Sequence, residues 1–404
     1  MNIAYKMQVR TSSINIYDRL IMLLISLQAF GLLGGFLRPV RVFAYCSILF
    51  VIIYFLNNRK KFIQYNYEFF FFAFWVIYAV ISLTWVIDYG KAFLSIYQLM
   101  VSIFLFFTLI WLAGKANKPK ESIIKGWILL FLLTLPIALY ELTFDLHLPM
   151  SVQEEGETIG GILSRRFASV TFGNLNTYNL VLCYTLPFLL LAITRFTKKR
   201  QLFVNILLLV LLCYIVIINS SRAAILTVGV GLLLFLIYYL KKGKGRLLFV
   251  SIGLVVVFFV IKNFELIFLV TLYRFQSAGF EDSTRSILLL NAWDALKNSY
   301  LLGVGAGNME ASMASYGTRI VVLHNLFMEI ALQYGVYVFC GFLIILWRII
   351  WKGMMYPEIR WFILIAFCVL GISSVIDARY LPKDYIWLFL GSLSIVVDKR
   401  YAYE

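Results

Sequence analysis

The chain has 404 residues, 62% of them apolar and only 14% charged, with a mean hydropathy of +0.89 and a formal net charge of +16. A soluble surface needs about a quarter charged residues; here the charges sit in short clusters between apolar runs of about twenty residues, the length that crosses a hydrocarbon core as helix. This excludes a soluble enzyme, a disulfide-stapled secreted scaffold and a disordered chain, and it predicts an all-α, polytopic membrane protein.

Apolar windows predict about twelve transmembrane helices. In chain order they are 19–36, 40–56, 68–87, 94–114, 123–142, 177–194, 202–219, 223–240, 247–262, 324–349, 359–376 and 384–398. The first run lacks a small-residue cleavage site, so it is expected to remain as a helix. The ninth is short and is expected to run on into Phe264–Leu272. Cys46, Cys183, Cys213, Cys340 and Cys368 all fall inside apolar runs at scattered spacing. They read as small core- or lipid-facing residues, not as a metal set or a disulfide pair.

Lysine and arginine set the orientation. One set of loops carries Arg59-Lys60-Lys61, the lysines from 115 to 125, Lys198-Lys199-Arg200, the basic run from Lys241 to Arg246, and Arg348, Lys352 and Arg360. With Lys6, Arg10, Lys399 and Arg400 they make up more than half of the 36 basic residues. These loops share one side if the span count is even, and the positive-inside rule then makes both termini cytoplasmic. The rule also accounts for the net charge without nucleic acid. The chain is expected to be one integral membrane domain, 1–404, with long external segments at 143–176 and 263–323. The second of these, between the ninth and tenth spans, is expected to fold against the bundle with short helices.

The opposite face carries mostly arginine: Arg38, Arg41, Arg165, Arg166, Arg222, Arg274, Arg285, Arg319 and Arg379. Topology gives no reason for arginine there, and a cluster of it needs an anionic partner. Asn219-Ser220-Ser221-Arg222 breaks two apolar runs with residues that cap helices. The free N–H groups and positive dipole end of the next helix then point, with Arg222, at one external spot suited to phosphate. His324-Asn325 opens another helix of the same direction, where the dipole keeps the imidazole neutral and able to accept a proton. Glu329 lies five residues on, roughly 7.5 Å along the axis, placed either to orient a partner or to pair with another buried polar group. Arg165-Arg166-Phe167 leads to Asn174, Asn176 and Tyr178 at a third such helix start.

Gly303-Val304-Gly305-Ala306-Gly307-Asn308 looks like a phosphate loop, but no Lys-Ser/Thr follows it and no strand precedes it, so a tight turn is expected. The acidic run Glu154-Glu155-Gly156-Glu157 reads as a solvated loop. No metal-ligand motif appears, and neither metal nor cofactor is expected.

The run from Arg285 through Trp293-Asp294-Ala295-Leu296 to the glycine segment resembles the external loop of the O-antigen ligase and Wzy polymerase superfamily. His324-Asn325-Leu326-Phe327-Met328-Glu329 with Gly335-Val336 is similar to the helix that follows there, and Ser221-Arg222-Ala223-Ala224 to its Ser-Arg helix start. Arg166 with Asn174-Leu175-Asn176 resembles its Asn-Pro-Asn segment, with Leu175 in place of the proline. The resemblance covers roughly 160 to 350.

It implies a GT-C-like glycosyltransferase in the bacterial cytoplasmic (inner) membrane. Such an enzyme moves a glycan from undecaprenyl pyrophosphate to an acceptor hydroxyl with inversion. Arg222 and Arg285 would stabilise the leaving pyrophosphate, with Arg166 and Arg274 beside them, and His324 would act on the acceptor. Asn174, Asn176, Asn325 and Glu329 complete the expected substrate contacts. The implied partners are the lipid-linked donor and acceptor, membrane lipids, a chain-length regulator and a repeat-unit flippase. A repeat-unit polymerase leads this reading. A ligase acting on a lipid A core is the alternative within the superfamily, and a lipid-linked oligosaccharide transporter the alternative of another class.

Overall fold

The computed structural model describes residues 13–31, 33–57, 65–148, 166–196, 198–241, 285–317 and 321–401. Among these residues every regular element is helical. The expected ninth span, Arg165, Arg274, Arg319 and the acidic run at 154–157 lie outside them.

Among the described residues eight helices are long and apolar enough to cross a membrane. They are α2 (Pro39–Asn57), α3 (Asn66–Ile81), α4 (Tyr89–Lys115), α5 (Pro119–Phe144), α6 (Leu175–Arg195), α7 (Lys199–Ile218), α8 (Arg222–Lys241) and α11 (Leu326–Met354). They answer to the second to eighth and the tenth expected spans. The other described spans are shorter than expected. α1 covers only Ile16–Ser26 before giving way to 3-10 turns at Leu27–Phe30 and Gly35–Leu37, because Gly31, Gly34 and Gly35 interrupt the run. α12 (Arg360–Ser373) and α13 (Asp384–Val396) are also short. Between α8 and α11 lie a helix over 285–298 (α9) and α10 (Met309–Ala314).

α6 is the axis of the bundle: 89% of its apolar window is buried, against 28% for α3 and α8. It packs on α5, α7, α8 and α12, and it is the least apolar of the eight, with Asn179 and Thr185 buried along it. α13 is buried along its length and packs on α4 and α5. Rings fix the two inner helices to each other and to α5. Tyr184 stacks on Phe389 at 4.4 Å, and Trp127 on Phe188 at 5.2 Å.

Polar contacts sort the helix ends onto two faces. On one, the buried Asp18 carboxylate accepts the N–H of Asn117 and Lys118 and the Ser122 hydroxyl, tying α1 to the start of α5. Tyr65 there donates to Asp398 at 2.8 Å, and Arg348 and Lys352 flank Glu68 at 3.9 and 3.8 Å. The other face carries the segments 27–31, 33–38, 82–88, 145–148, 166–174, 219–222, 299–317, 321–325 and 374–383. Below it is called the Arg222 face.

Candidate functional site on the Arg222 face

The segment 166–172 is the hub of this face. Glu141, buried near the end of α5, accepts the N–H groups of both Ser169 and Val170 on Oε2, each at 2.8 Å. Asn219, at the end of α7, accepts the Ala168 N–H at 2.8 Å and donates to the Ala168 carbonyl at 3.1 Å. Its amide also donates to Asn179 Oδ1 at 2.8 Å. Arg166 donates to the Thr143 carbonyl at 3.2 Å, so one end of its guanidinium meets the exposed carbonyls where α5 stops. Asn174 then caps α6, accepting from Asn176 N–H at 2.7 Å.

Three residues beyond Asn219, exposed Arg222 is the first residue of α8. The turn between them holds Ser220 at φ 50°. All six described non-glycine residues with positive φ lie in segments of this face: Asp145, Val170, Ser220, Tyr300, Leu301 and Arg379. A β-branched residue such as Val170 resists that conformation, and clustered backbone strain of this kind is a feature of functional sites.

The start of α11 joins the hub through the loop 374–383. The Leu326 N–H donates to the Ser374 carbonyl at 3.0 Å. Asn325 is the helix cap, accepting from Met328 N–H at 3.0 Å, and His324 stands one residue outside the helix. Glu329 is buried, with Oε2 accepting the Tyr380 N–H at 2.7 Å and Oε1 facing the N–H of Leu381 and the amide of Gln333, each at 3.4 Å. Of the two expected placements for Glu329, the structure shows the buried polar partnership.

From the same loop, Asp377 accepts the Thr177 hydroxyl at 2.7 Å and pairs with Lys383, which links α6 to α13. Burial pushes the Lys383 ammonium below the usual lysine value, opposed by the pull of Asp377. Sequence reasoning missed Asp377, Lys383 and Tyr380. Their signal was a charge-dense stretch between two apolar runs, on the face otherwise poor in lysine.

Three arginines of this face have a structural partner that sequence reasoning did not supply. The Arg41 side chain meets both oxygens of the fully buried Asp384 at 3.2 Å, and Arg38 meets one at 3.1 Å. Arg41 also donates to the Gly35 and Pro382 carbonyls. Arg379 is paired with Glu310 at 2.6 Å. These three hold loops to helices. Arg285 is exposed at the first described turn of α9, which packs through Leu288, Ala292 and Leu296 in one apolar cluster with Leu323 and Leu332. α9 therefore rides on the segment that carries His324, while the described contacts do not join Arg285 to the hub.

The glycine segment is a docking turn. Gly335 (φ 75°) breaks α11, and the break is filled from 301–305. Val304 and Gly305 donate to the carbonyls of Leu332 and Gln333, and Val336 donates to Leu301. Ala306 N–H goes to Ser82 Oγ and Gly307 N–H to Gln333 Oε1. A phosphate loop needs these N–H groups free, and here the protein uses them.

Residues 207–343 match the family model described as O-antigen ligase, Wzy_C. The teichuronic acid biosynthesis protein TuaE of Bacillus subtilis (strain 168) is 24% identical over 296 residues, which cover 70% of this chain and 59% of that protein. Both similarities support an O-antigen ligase and Wzy-type superfamily. The O-antigen ligase match takes in Arg222, Arg285, His324, Asn325, Glu329 and the glycine segment. The hub at 166–174, which braces the turn before Arg222, and the loop 374–383, which braces the start of α11, lie outside it.

Proposed function

We propose that the chain is a membrane glycosyltransferase that polymerises undecaprenyl-pyrophosphate-linked oligosaccharide repeat units at the outer face of the bacterial cytoplasmic membrane. One observation carries this reading. The helix start with Arg222, the segment with Arg166 and the helix start preceded by His324 lie on one face, each braced by hydrogen bonds to a neighbouring segment. Two of the three belong to the O-antigen ligase match.

The chemistry follows from that placement. The acceptor hydroxyl attacks the anomeric carbon from the side opposite the pyrophosphate. A carbon–oxygen bond forms to the acceptor while the bond to the pyrophosphate oxygen breaks, so configuration inverts. The acceptor proton passes to His324. The charge that develops on the pyrophosphate falls to Arg222 and Arg285, with Arg166 behind them, aided by the positive end of α8. Undecaprenyl pyrophosphate leaves, and no nucleotide sugar or metal ion takes part.

The similarity to TuaE supports polysaccharide synthesis, and the ligase reading differs only in the acceptor. Polar residues concentrated at one face, not at the bilayer midplane, argue against transport. The test is elongation. Purified chain given lipid-linked repeat units is expected to build a ladder of longer glycans, whereas transfer to a lipid A core without a ladder would favour ligation. The outer-face assignment is tested by cysteine labelling in intact cells. Cysteines at 198–200 are expected to resist a membrane-impermeant reagent that labels position 315.

A further inference from the structure

We propose that Glu141, His147 and Asp145 form a positioning triad that holds Arg166 for a pyrophosphate group, an inference that deepens the reading above and rests on it. His147 is the histidine that the transfer mechanism does not use. Its side chain is 7% exposed and lies between two carboxylates, with Nδ1 3.7 Å from Glu141 Oε1 and Nε2 3.5 Å from Asp145 Oδ1. Neither ring nitrogen has a hydrogen-bond partner at this spacing, and Glu141 Oε1 has none either. The ring stacks on Phe167 at 4.1 Å and 13°.

The arrangement meets several demands at once. Buried Glu141 already accepts two backbone N–H groups on Oε2, which hold Val170 at φ 50°. Its other oxygen is left facing His147. A buried carboxylate needs compensation, and an imidazolium is the one form of histidine that offers a donor to each of two carboxylates. Phe167, pinned by the stacked ring, is the neighbour of Arg166. The Arg166 guanidinium has one Nη on the Thr143 carbonyl and is exposed beyond it. The triad thus fixes both ends of the short lever that carries Arg166: the end of α5 through Asp145, and the segment 167–170 through Phe167 and Glu141.

The test is a double-mutant cycle on headgroup binding by the purified full-length protein. The probes are undecaprenyl pyrophosphate and, as the control lacking the pyrophosphate, undecaprenol. His147→Gln and Arg166→Ala are each expected to weaken binding of undecaprenyl pyrophosphate about tenfold, and the double variant no further than Arg166→Ala alone. Undecaprenol binding is expected to stay unchanged. His147→Phe keeps a ring to stack on Phe167 but offers no N–H, so it serves if His147→Gln is not recovered folded, with the same expected loss. Multiplying losses, equal losses for undecaprenol, or unchanged binding by the His147 variants would overturn the triad and leave the proposed transfer standing. If the unaltered protein did not prefer undecaprenyl pyrophosphate to undecaprenol, the reading of the whole site would fail with it.

Discussion

Asn219 and Ala168 hold each other at two points: the Asn219 carboxamide accepts the Ala168 N–H at 2.8 Å and donates to the Ala168 carbonyl at 3.1 Å. This clasp makes the Arg166 segment and the turn before Arg222 one unit, although 51 residues separate the partners.

That unity makes Asn219 a sensitive position with no direct role in the chemistry. Asn219→Ala leaves a buried N–H and a buried carbonyl unmatched, at a cost of about 1–3 kcal/mol each at most. Asn219→Asp keeps the acceptor and loses the donor. Transfer is expected to fall in both, more in alanine, with thermal melts of the purified protein recording the stability. Full activity in Asn219→Ala would show that the two arginine segments act independently.

Glu329 is expected to behave as a brace. Glu329→Gln keeps an acceptor for the Tyr380 N–H and is expected to retain most activity. Glu329→Ala strands that N–H and is expected to lower stability by about 1–3 kcal/mol. The discriminating result is a well-folded but inactive Glu329→Gln, which would place the carboxylate on substrate.

His324 is freed from a competing explanation by the position of Asn325. Asn325 caps α11, so His324 is not needed as the cap. His324→Asn and His324→Ala are both expected to lose transfer by about 10² to 10⁴, with normal protein levels and near-normal binding of the donor lipid. An active His324→Asn would remove histidine from the chemistry and leave the arginines.

The glycine turn yields a stability contrast. A Cβ on Gly335 would stand 2.5 Å from the Leu302 carbonyl oxygen at a φ of 75°, whereas one on Gly34 meets nothing within 4 Å. Gly335→Ala is expected to cost well over about 1 kcal/mol, and Gly34→Ala to stay within about 0.5 kcal/mol. Thermal melts in detergent would check the pair.

Much of this architecture is legible in the chain because lipid imposes a simple rule: apolar runs become helices and lysine marks one face. The helix starts at Asn174, Arg222 and Asn325 are legible for the same local reason, since capping residues interrupt apolar runs there. The bracing is not legible, because it is made by single polar residues paired over long separations. Arg41 meets Asp384 across 343 residues, and nothing near either one announces the other. For the same reason the external arginines read as one cluster in sequence. In the structure Arg38, Arg41 and Arg379 are committed to carboxylates. His147 went unread because its partners, Glu141 and Phe167, belong to the end of one helix and to a loop beyond the next segment.

The most direct test of the central claim is transfer by purified protein supplied with undecaprenyl-pyrophosphate-linked repeat units in excess chelator, read as a product ladder together with released undecaprenyl pyrophosphate. The unaltered chain is expected to elongate the glycan. Arg222→Lys and Arg285→Lys are expected to lose most of that activity, because lysine keeps the charge but lacks the planar fork that grips a pyrophosphate. Activity that appears only when Mg²⁺ or Mn²⁺ is restored, or full activity with both arginines replaced by lysine, would contradict the account.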